Sequence, residues 1–372
     1  MFNSGSTKSI ILLVFILILS ACGDSDSSQN NQSIPQWPMI GFNAQHTGLC
    51  NYIGPESNKL KWVFSAGSYY IDKSPVIGAD GTVYIICGYA EHNKLFAING
   101  KTGLKKWEIF INDSFGRVSL SIGKNGLIYI GSLGSKMYAF ESRTGRKVWE
   151  YKVENMYFDD SQIQCSVTIS DDGVIYFGAN PGFILALNGD TGEKIWESET
   201  TWATYAGSPA IGLDGNLYVG DVAGRVRSLD IETGAIVWES VITQVEGTPS
   251  VGTNNILYVT SVDGYINAFN CQTGELLWRK NIGGNFLAST PAIDLYDNIY
   301  AGSDSFYSLN SLDGEINWEY PERQSYGSSI IDKNGTVYFA GTKLYAINGN
   351  DGSLKWEFDP GDSFICSSSD LI

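Results

Sequence analysis

The chain has 372 residues and a formal net charge of -16, with 40 acidic side chains against 24 Lys and Arg. This charge repels phosphate backbones, and no run of basic residues offsets it, so nucleic-acid binding is excluded as a function. Only 17% of the residues are charged, whereas 42 are Gly and 13% are aromatic. This composition is typical of a turn-rich, well-buried all-β protein.

The first 21 residues are predicted to be a signal peptide. Lys8 precedes an apolar run, residues 10–19, that is too short to span a bilayer. The run ends in Leu19-Ser20-Ala21-Cys22, which resembles the lipobox of bacterial lipoproteins. The resemblance implies cleavage before Cys22 and attachment of diacylglycerol to its sulfur. Residues 22–35, rich in Ser, Asp, Asn and Gln, are predicted to form a flexible tether.

One pattern recurs seven times in residues 36–372, which are predicted to form a single domain. A small residue is followed six positions later by Gly and four positions after that by Trp. The seven copies end at Trp107, Trp149, Trp196, Trp238, Trp278, Trp318 and Trp356, and Trp62 precedes them. Upstream pairs such as Asp214-Gly215 predict tight hairpin turns. Four short strands in each repeat of about 40 residues predict one blade of a β-propeller.

The repeat also predicts how the blades pack. A small sheet cannot bury both of its faces alone, whereas blades arranged around an axis cover one another. We expect the Ala or Ser of each motif to leave room for a neighbouring blade's Trp, whose indole N–H reaches a backbone carbonyl. These tryptophans are therefore predicted to be structural.

The number of blades is predicted from the strands at the two ends of the domain. Inner strands can be counted eight times, the last at residues 364–372, and Trp strands eight times from Trp62, but complete middle hairpins only seven times. The prediction is therefore a propeller of four-stranded antiparallel blades at eight radial positions, one of them incomplete and partly filled by residues 36–60. Seven blades with two spare strands is the alternative.

The motif from Ala139 to Trp149 resembles the repeat of quinoprotein-type propellers, also called pyrroloquinoline-quinone-like propellers. The resemblance extends from about Trp37 to the C-terminus. Within this group the chain is similar to the lipid-anchored propeller scaffold of the outer-membrane β-barrel assembly machinery. The repeat is specific for the fold and not for an activity, so both a scaffold and a quinone-dependent enzyme are implied.

The sequence argues against the enzyme. Quinoprotein dehydrogenases are longer and often carry an adjacent Cys pair or a haem CxxCH motif, and neither motif is present. His46 lies in GFNAQHTG, which resembles a common lead-in to these propellers, so a structural role is expected. Asp171-Asp172 is explained by hairpin-turn chemistry, and no metal-ligand cluster is found. No catalytic residue, no metal site and no cofactor are predicted.

Five cysteines follow Cys22, and an odd number cannot pair completely. They are Cys50, Cys87, Cys165, Cys271 and Cys366. Most lie in strand-like segments, so buried unpaired thiols are expected, with a bridge from Cys50 as the open alternative.

A partner-binding surface is predicted on the connections that lead from each Trp strand to the next inner strand. These connections gather on one face of a propeller. Aromatic and acidic side chains concentrate there, and Tyr and Trp are well suited to anchoring a partner. The predicted residues are Tyr69, Tyr70, Tyr157, Phe158, Asp159, Asp160, Trp202, Tyr205, Phe286 and Tyr326.

The predicted function is a non-catalytic, lipid-anchored scaffold that binds a protein or peptide in the cell envelope, in outer-membrane protein assembly. The alternatives are a pyrroloquinoline-quinone-dependent dehydrogenase and a small-ligand or glycan-binding sensor. Gly23 replaces the Asp that retains lipoproteins in the inner membrane of some enteric bacteria, which favours the outer membrane. No oligomeric state is predicted.

Overall fold

The computed structural model describes residues 11–12, 36–67, 73–89, 92–116, 118–154, 162–199, 207–284, 289–322 and 328–359. Within these ranges the regular structure is entirely β: seven four-stranded antiparallel sheets and one two-stranded pair. The pair joins β1 (Ile11–Leu12) to β2 (Phe64–Ser65). The described residues contain no helix that could cross a membrane.

Each sheet contains four consecutive strands, which we call the inner, second, third and outer strands of a blade. Blade 1 contains β3 (Val76–Ile77), β4 (Thr82–Tyr89), β5 (His92–Asn99) and β6 (Lys105–Ile111). Blade 2 contains β7 (Ser121–Ile122), β8 (Leu127–Gly131), β9 (Lys136–Glu141) and β10 (Lys147–Lys152). Blade 3 contains β11 (Thr168–Ile169), β12 (Val174–Ala179), β13 (Phe183–Asn188) and β14 (Lys194–Glu199).

The remaining four blades repeat this order. Blade 4 contains β15 (Ala210–Ile211), β16 (Asn216–Gly220), β17 (Arg225–Asp230) and β18 (Ile236–Val241). Blade 5 contains β19 (Ser250–Val251), β20 (Ile256–Ser261), β21 (Tyr265–Asn270) and β22 (Leu276–Asn281). Blade 6 contains β23 (Ala292–Ile293), β24 (Ile299–Gly302), β25 (Phe306–Leu309) and β26 (Ile316–Tyr320). Blade 7 contains β27 (Ile330–Ile331), β28 (Thr336–Ala340), β29 (Leu344–Asn348) and β30 (Leu354–Phe358).

The predicted propeller of four-stranded antiparallel blades is confirmed, and the seven complete sheets match the alternative of seven blades. Residues 50–66, which include β2, lie between blade 7 and blade 1 in place of an eighth four-stranded sheet. On one side Trp356 Nε1 donates to the Pro55 carbonyl (3.0 Å), and on the other Trp62 Nε1 donates to the Gly100 carbonyl (2.9 Å). Residues 364–372, the predicted eighth inner strand, lie outside the described residues.

The motif tryptophans pack the blades together. Trp107 lies opposite Ala97 of its own sheet, and the same register recurs in the other six blades. The expectation that the small residue makes room for a neighbouring blade's Trp was therefore wrong, because the Trp that uses this room belongs to the same blade. In the first six blades this Trp also covers the motif Gly of the next blade, as Trp196 covers Gly234.

As the repeat predicts, each of these indole N–H groups donates to a backbone carbonyl beyond its own blade. The acceptors for Trp107, Trp149, Trp196, Trp238, Trp278 and Trp318 are the carbonyls of Ser142, Gly189, Ile231, Cys271, Ser311 and Gly349, at 2.7–3.2 Å. Each of these partly buried indole N–H groups is thereby paired, which avoids the free-energy cost of an unsatisfied donor.

The two ends of the propeller have different construction. One end carries the hairpin turns from the inner to the second strand and from the third to the outer strand, and we call it the turn end. Neighbouring blades touch there: Lys124 Nζ lies 2.7 Å from Asp171 Oδ1, and Thr253 Oγ1 lies 2.7 Å from Asp297 Oδ2. At the opposite end each outer strand connects to the next inner strand, and we call this end the rim.

The N-terminal segment 37–52 closes the turn end of the axis. Its backbone bonds one inner strand after another: Trp37 pairs with Ile77, and the Pro38 carbonyl accepts from Ile122 N. Further along, carbonyls of the segment accept from the backbone N–H groups of four later inner strands, at Ile211, Val251, Ile293 and Ile331. We call this segment the axial strap, because it bonds inner strands from the first blade to the last.

Candidate functional site

The predicted partner-binding residues fall in segments of the sequence between an outer-type strand and the next inner strand, and all ten lie outside the described residues. They are Tyr69, Tyr70, Tyr157, Phe158, Asp159, Asp160, Trp202, Tyr205, Phe286 and Tyr326. The described residues that flank these connections show how the rim is supported.

A ring of hydroxyl groups surrounds the axis directly beneath the rim. Every inner strand is preceded by Ser or Thr at the same register: Ser74, Ser119, Ser166, Ser208, Thr248, Thr290 and Ser328. In four blades the hydroxyl oxygen accepts the backbone N–H of the equivalent residue in the preceding blade, for example Ser119 N to Ser166 Oγ at 2.8 Å. All seven residues are at most 5% exposed. This hydroxyl ring links adjacent blades at the rim.

Two acidic side chains connect an outer strand to the following blade. Asp113, after blade 1, accepts the Tyr138 hydroxyl of blade 2 at 2.6 Å. Glu322, after blade 6, accepts the Tyr345 hydroxyl of blade 7 at 2.8 Å. Burial, together with the Glu322 carboxylate, raises the pKa of Tyr345 to about 12, so the phenol keeps its proton and donates it. These bonds fix the beginning of the rim connections.

Arg227 carries a buried positive charge near the rim that the sequence analysis did not identify. It is fully buried, and its guanidinium lies 2.9 Å from the buried carboxylate of Asp221 and 2.7 Å from Glu239. Five other blades carry an apolar or aromatic side chain at this register, such as Phe96, Tyr138 and Leu185, and blade 5 carries the neutral Asn267. The signal was therefore present in the aligned repeats. Two carboxylates compensate the charge, which makes the cluster a structural ion network.

His46 lies at the centre of the axial strap. It is fully buried, with Nδ1 2.8 Å from the Ile40 carbonyl and Nε2 2.8 Å from the Pro209 carbonyl. Burial lowers the pKa of His46, although both carbonyls oppose this effect. The ring joins the strap to blade 4 and is not accessible to a substrate, in agreement with the structural role expected for it.

The other candidates of the sequence analysis are also structural where they are described. Cys50, Cys165 and Cys271 are buried free thiols, as predicted, and Cys87 is also buried. Burial raises the pKa of Cys165 to about 12. Asp171 and Asp172 lie in the turn that Gly173 completes at φ 86°. Asp171 pairs with Lys124, and Asp172 accepts the Ser170 hydroxyl. Cys22 and Cys366 lie outside the described residues.

A quinone cofactor held with a metal ion requires oxygen-bearing side chains that converge on the metal. Across the described ranges, no three His, Cys, Asp or Glu side chains converge to hold a metal. Arg227, which could otherwise face an anionic ligand, is bonded to Asp221 and Glu239. The turn end of the axis, where such a ligand could also enter, is covered by the strap.

Known structures share the fold. A europium-containing methanol dehydrogenase aligns with a TM-score of 0.72 and 14% identity, covering 90% of this chain and 87% of the enzyme. BamB from Moraxella catarrhalis aligns with a TM-score of 0.62 and 21% identity, covering 78% and 90%. A quinohemoprotein alcohol dehydrogenase from Comamonas testosteroni aligns with a TM-score of 0.72 and 13% identity, covering 90% and 74%. Identities this low establish the fold alone.

No curated protein sequence matches the chain significantly. One family model matches residues 116–251 and 222–359, which together span well over half of the chain. These ranges contain six of the seven motif copies, from Trp149 to Trp356. Repeat sequence, propeller fold and family model therefore agree, and the chain belongs to the family described as outer membrane protein assembly factor BamB.

Proposed function

We propose that this protein is a non-catalytic scaffold, held to a membrane of the cell envelope through a lipid on Cys22, that binds a protein partner in outer-membrane protein assembly. The observation that carries the proposal is the family model over residues 116–359. The side chains examined as catalytic candidates support it, because in the described residues they are buried or bonded to other parts of the propeller.

The rim is the partner-binding surface in this proposal. The hydroxyl ring and the bonds of Asp113 and Glu322 hold together the described residues that flank its connections. Rigid support of exposed loops is how scaffolds present recognition residues. Aromatic residues such as Trp202 and Tyr205 supply contact area for a protein or an extended peptide.

Genetic complementation tests the rim. In a strain that lacks this protein, the native chain is expected to restore the level of outer-membrane β-barrel proteins. The double variant Trp202→Ala, Tyr205→Ala is expected to be produced normally and not to restore it. Val241→Ala, which truncates an apolar side chain 68% exposed on an outer strand, is the matched control and should complement. Unchanged barrel levels in the deletion strain would contradict the assembly role.

The lipid anchor is tested separately. Cys22→Ser should leave the chain in the soluble fraction of the cell envelope, whereas the native chain should sediment with membranes and carry the mass of a diacylglycerol. The outer membrane is the expected location. Equal sedimentation of the two chains, with no added mass on Cys22, would refute the anchor.

The second candidate is a quinone-dependent dehydrogenase, favoured by the structural alignments to methanol and alcohol dehydrogenases. Calorimetric titration of the full chain with pyrroloquinoline quinone and Ca²⁺ distinguishes the two candidates. The scaffold predicts no saturable heat. Affinity of about 1 μM or tighter, roughly -8 kcal/mol, would favour the enzyme.

A further inference from the structure

Blade 6 differs from the other six blades at the turn end. In the turn between inner and second strand, the tip position is Asp or Asn in six blades and Tyr296 in blade 6. The six are Asp80, Asn125, Asp172, Asp214, Asn254 and Asn334. The preceding position carries Leu295, and in blade 4 it carries Leu213, so this position alone does not distinguish blade 6. In the turn between third and outer strand, the position occupied by Lys101 in blade 1 and Arg143 in blade 2 is Leu312.

These three side chains face solvent. Leu295 is 68% exposed, Tyr296 82% and Leu312 77%, and Tyr296 and Leu312 are the two most exposed large hydrophobic residues of the described chain. Their turns belong to one blade, and an Asn317 to Asn298 side-chain bond of 3.3 Å joins the strands beside them. Single exposed apolar residues are ordinary on a protein surface, whereas a contiguous group indicates a contact. We call Leu295, Tyr296 and Leu312 the apolar tip.

The hairpin does not need Tyr296 for its own folding. In most other blades the tip Asp or Asn accepts a backbone N–H two residues later, as Asp214 does from Asn216. In blade 6 the turn is instead stabilised by Asp294, whose side chain accepts the backbone N–H groups of Tyr296 (2.8 Å) and Asn298 (2.9 Å). The tip position is therefore free to carry a side chain for another purpose. Asp297 is bonded to Thr253, which keeps its charge beside the neighbouring blade.

The tether enters the propeller at this same end. The Gln36 side chain approaches Gly81, in the first turn of blade 1, and Trp37 pairs with Ile77 immediately before that turn. The thirteen residues 23–35 separate Gln36 from Cys22, and fully extended they span at most about 45 Å. A lipid on Cys22 therefore holds the turn end close to the bilayer.

We propose that the apolar tip of blade 6 inserts into the membrane interface and orients the tethered propeller with its turn end toward the bilayer and its rim away from it. Leu supplies apolar surface, and Tyr suits the interface because its ring is apolar and its hydroxyl remains hydrated. The net charge of -16 disfavours anionic lipids, so the contact is with the apolar region beneath neutral headgroups. The inference depends on the lipid anchor of the proposed function.

The test uses the lipidated full chain in phosphatidylcholine vesicles. Cys366 is replaced by Ser, and a single Cys is introduced as Leu312→Cys and labelled with an environment-sensitive fluorophore; the four described native thiols are buried and protected from labelling. On vesicles, emission from position 312 should shift to the blue and be quenched by lipids brominated in their acyl chains. Arg143→Cys, at the same turn position in blade 2, is the control and should show neither change.

A second variant checks that the tip itself causes insertion. Leu295→Asp with Tyr296→Asp gives blade 6 the tip of blade 3, where Asp171-Asp172 occurs naturally, so the hairpin is expected to fold. The label at 312 should then behave as it does in water. If the chain binds vesicles but its label at 312 is not quenched by the brominated lipids, the insertion is overturned and the anchor is retained. The tip is then assigned to a protein partner. A chain that does not remain on vesicles overturns the anchor and the insertion together.

Discussion

Motif glycines such as Gly234 are required for two separable reasons. Gly234 has φ 72°, and a Cβ there would lie 2.6 Å from Cε3 of Trp196. Gly215 has φ 80°, but a Cβ there would meet nothing within 4 Å. Positive φ disfavours any side chain, whereas the steric clash arises only where a neighbouring Trp covers the glycine.

Comparison of two alanine variants separates these effects. Gly215→Ala is expected to lower the free energy of unfolding by about 1 kcal/mol through backbone strain. Gly234→Ala should lower it by a further 1–3 kcal/mol or so, because Trp196 must move. Chemical denaturation measures both. Equal losses would show that Trp packing does not require the glycine.

His46 predicts a pH dependence of stability. Its pKa in the folded protein is lowered, chiefly by burial, from the ordinary value of 6.5. As the pH falls below 6.5 the unfolded chain binds this proton first, so the free energy of unfolding should decrease, by up to about 1.4 kcal/mol per pH unit. Above 6.5 this contribution is fully present. His46→Asn should remove the slope between pH 6.5 and 5, and a slope identical to that of the native chain would assign it to another group.

Side-chain roles were predictable where the repeat aligns them and missed where a residue departs from it. The indole bonds followed from the recurrence of Trp at one register. Arg227 and the apolar tip are exceptions within aligned positions, and a repeat pattern indicates only what its copies share. His46 was expected to be structural, but its contact with Pro209, 163 residues away along the chain, depends on the closed ring.

At the level of elements, buried hydroxyl groups differ in whether they accept a backbone hydrogen bond. Ser166 Oγ accepts the backbone N–H of Ser119, whereas Ser329 Oγ is buried without a hydrogen-bond partner in the described structure. A buried N–H that loses its acceptor costs about 1–3 kcal/mol, whereas an unpaired hydroxyl contributes no such bond.

Ser166→Ala should therefore destabilise the propeller by about 1–3 kcal/mol. Ser329→Ala is the matched control, and it should change stability by no more than about 0.5 kcal/mol or improve it. Urea unfolding of the two variants provides the measurement. A loss in Ser329→Ala as large as that in Ser166→Ala would mean that the hydroxyl ring has no special role.

Hairpins were predictable because Asp-Gly and Asn-Gly encode their turns locally. The blade count was harder to predict, since residues 50–66 lie between two complete blades without forming a hairpin of their own. The axial strap was expected only as a lead-in that fills a gap. Its hydrogen bonds are made by backbone groups, and backbone bonding does not produce a periodic pattern of hydrophobic residues that could be recognised in the sequence.

At the scale of the whole molecule, the axial strap holds the ring closed. Deleting residues 36–49 removes backbone bonds to most inner strands, each contributing about 1 kcal/mol, and exposes the end of the axis. The melting temperature is expected to fall by about 10 °C or more, with a broader transition as the blades lose their common tie.

Deletion of residues 23–35, the predicted tether, is the control for this experiment and should leave the melting temperature unchanged. Scanning calorimetry of the two deletion variants measures both melting temperatures and the widths of the transitions. A sharp transition at the native temperature after loss of 36–49 would show that the blades close the ring without the strap.

The axial strap also sets an order of events during synthesis. It is translated before every blade, yet its neighbour Gly54 donates to Asp332, 278 residues later in the chain. Bonds of such long sequence separation form late, because the intervening chain must first be arranged. Ring closure therefore waits for the seventh blade, so a nascent chain cannot be locked into the closed ring before its last blade has been synthesised.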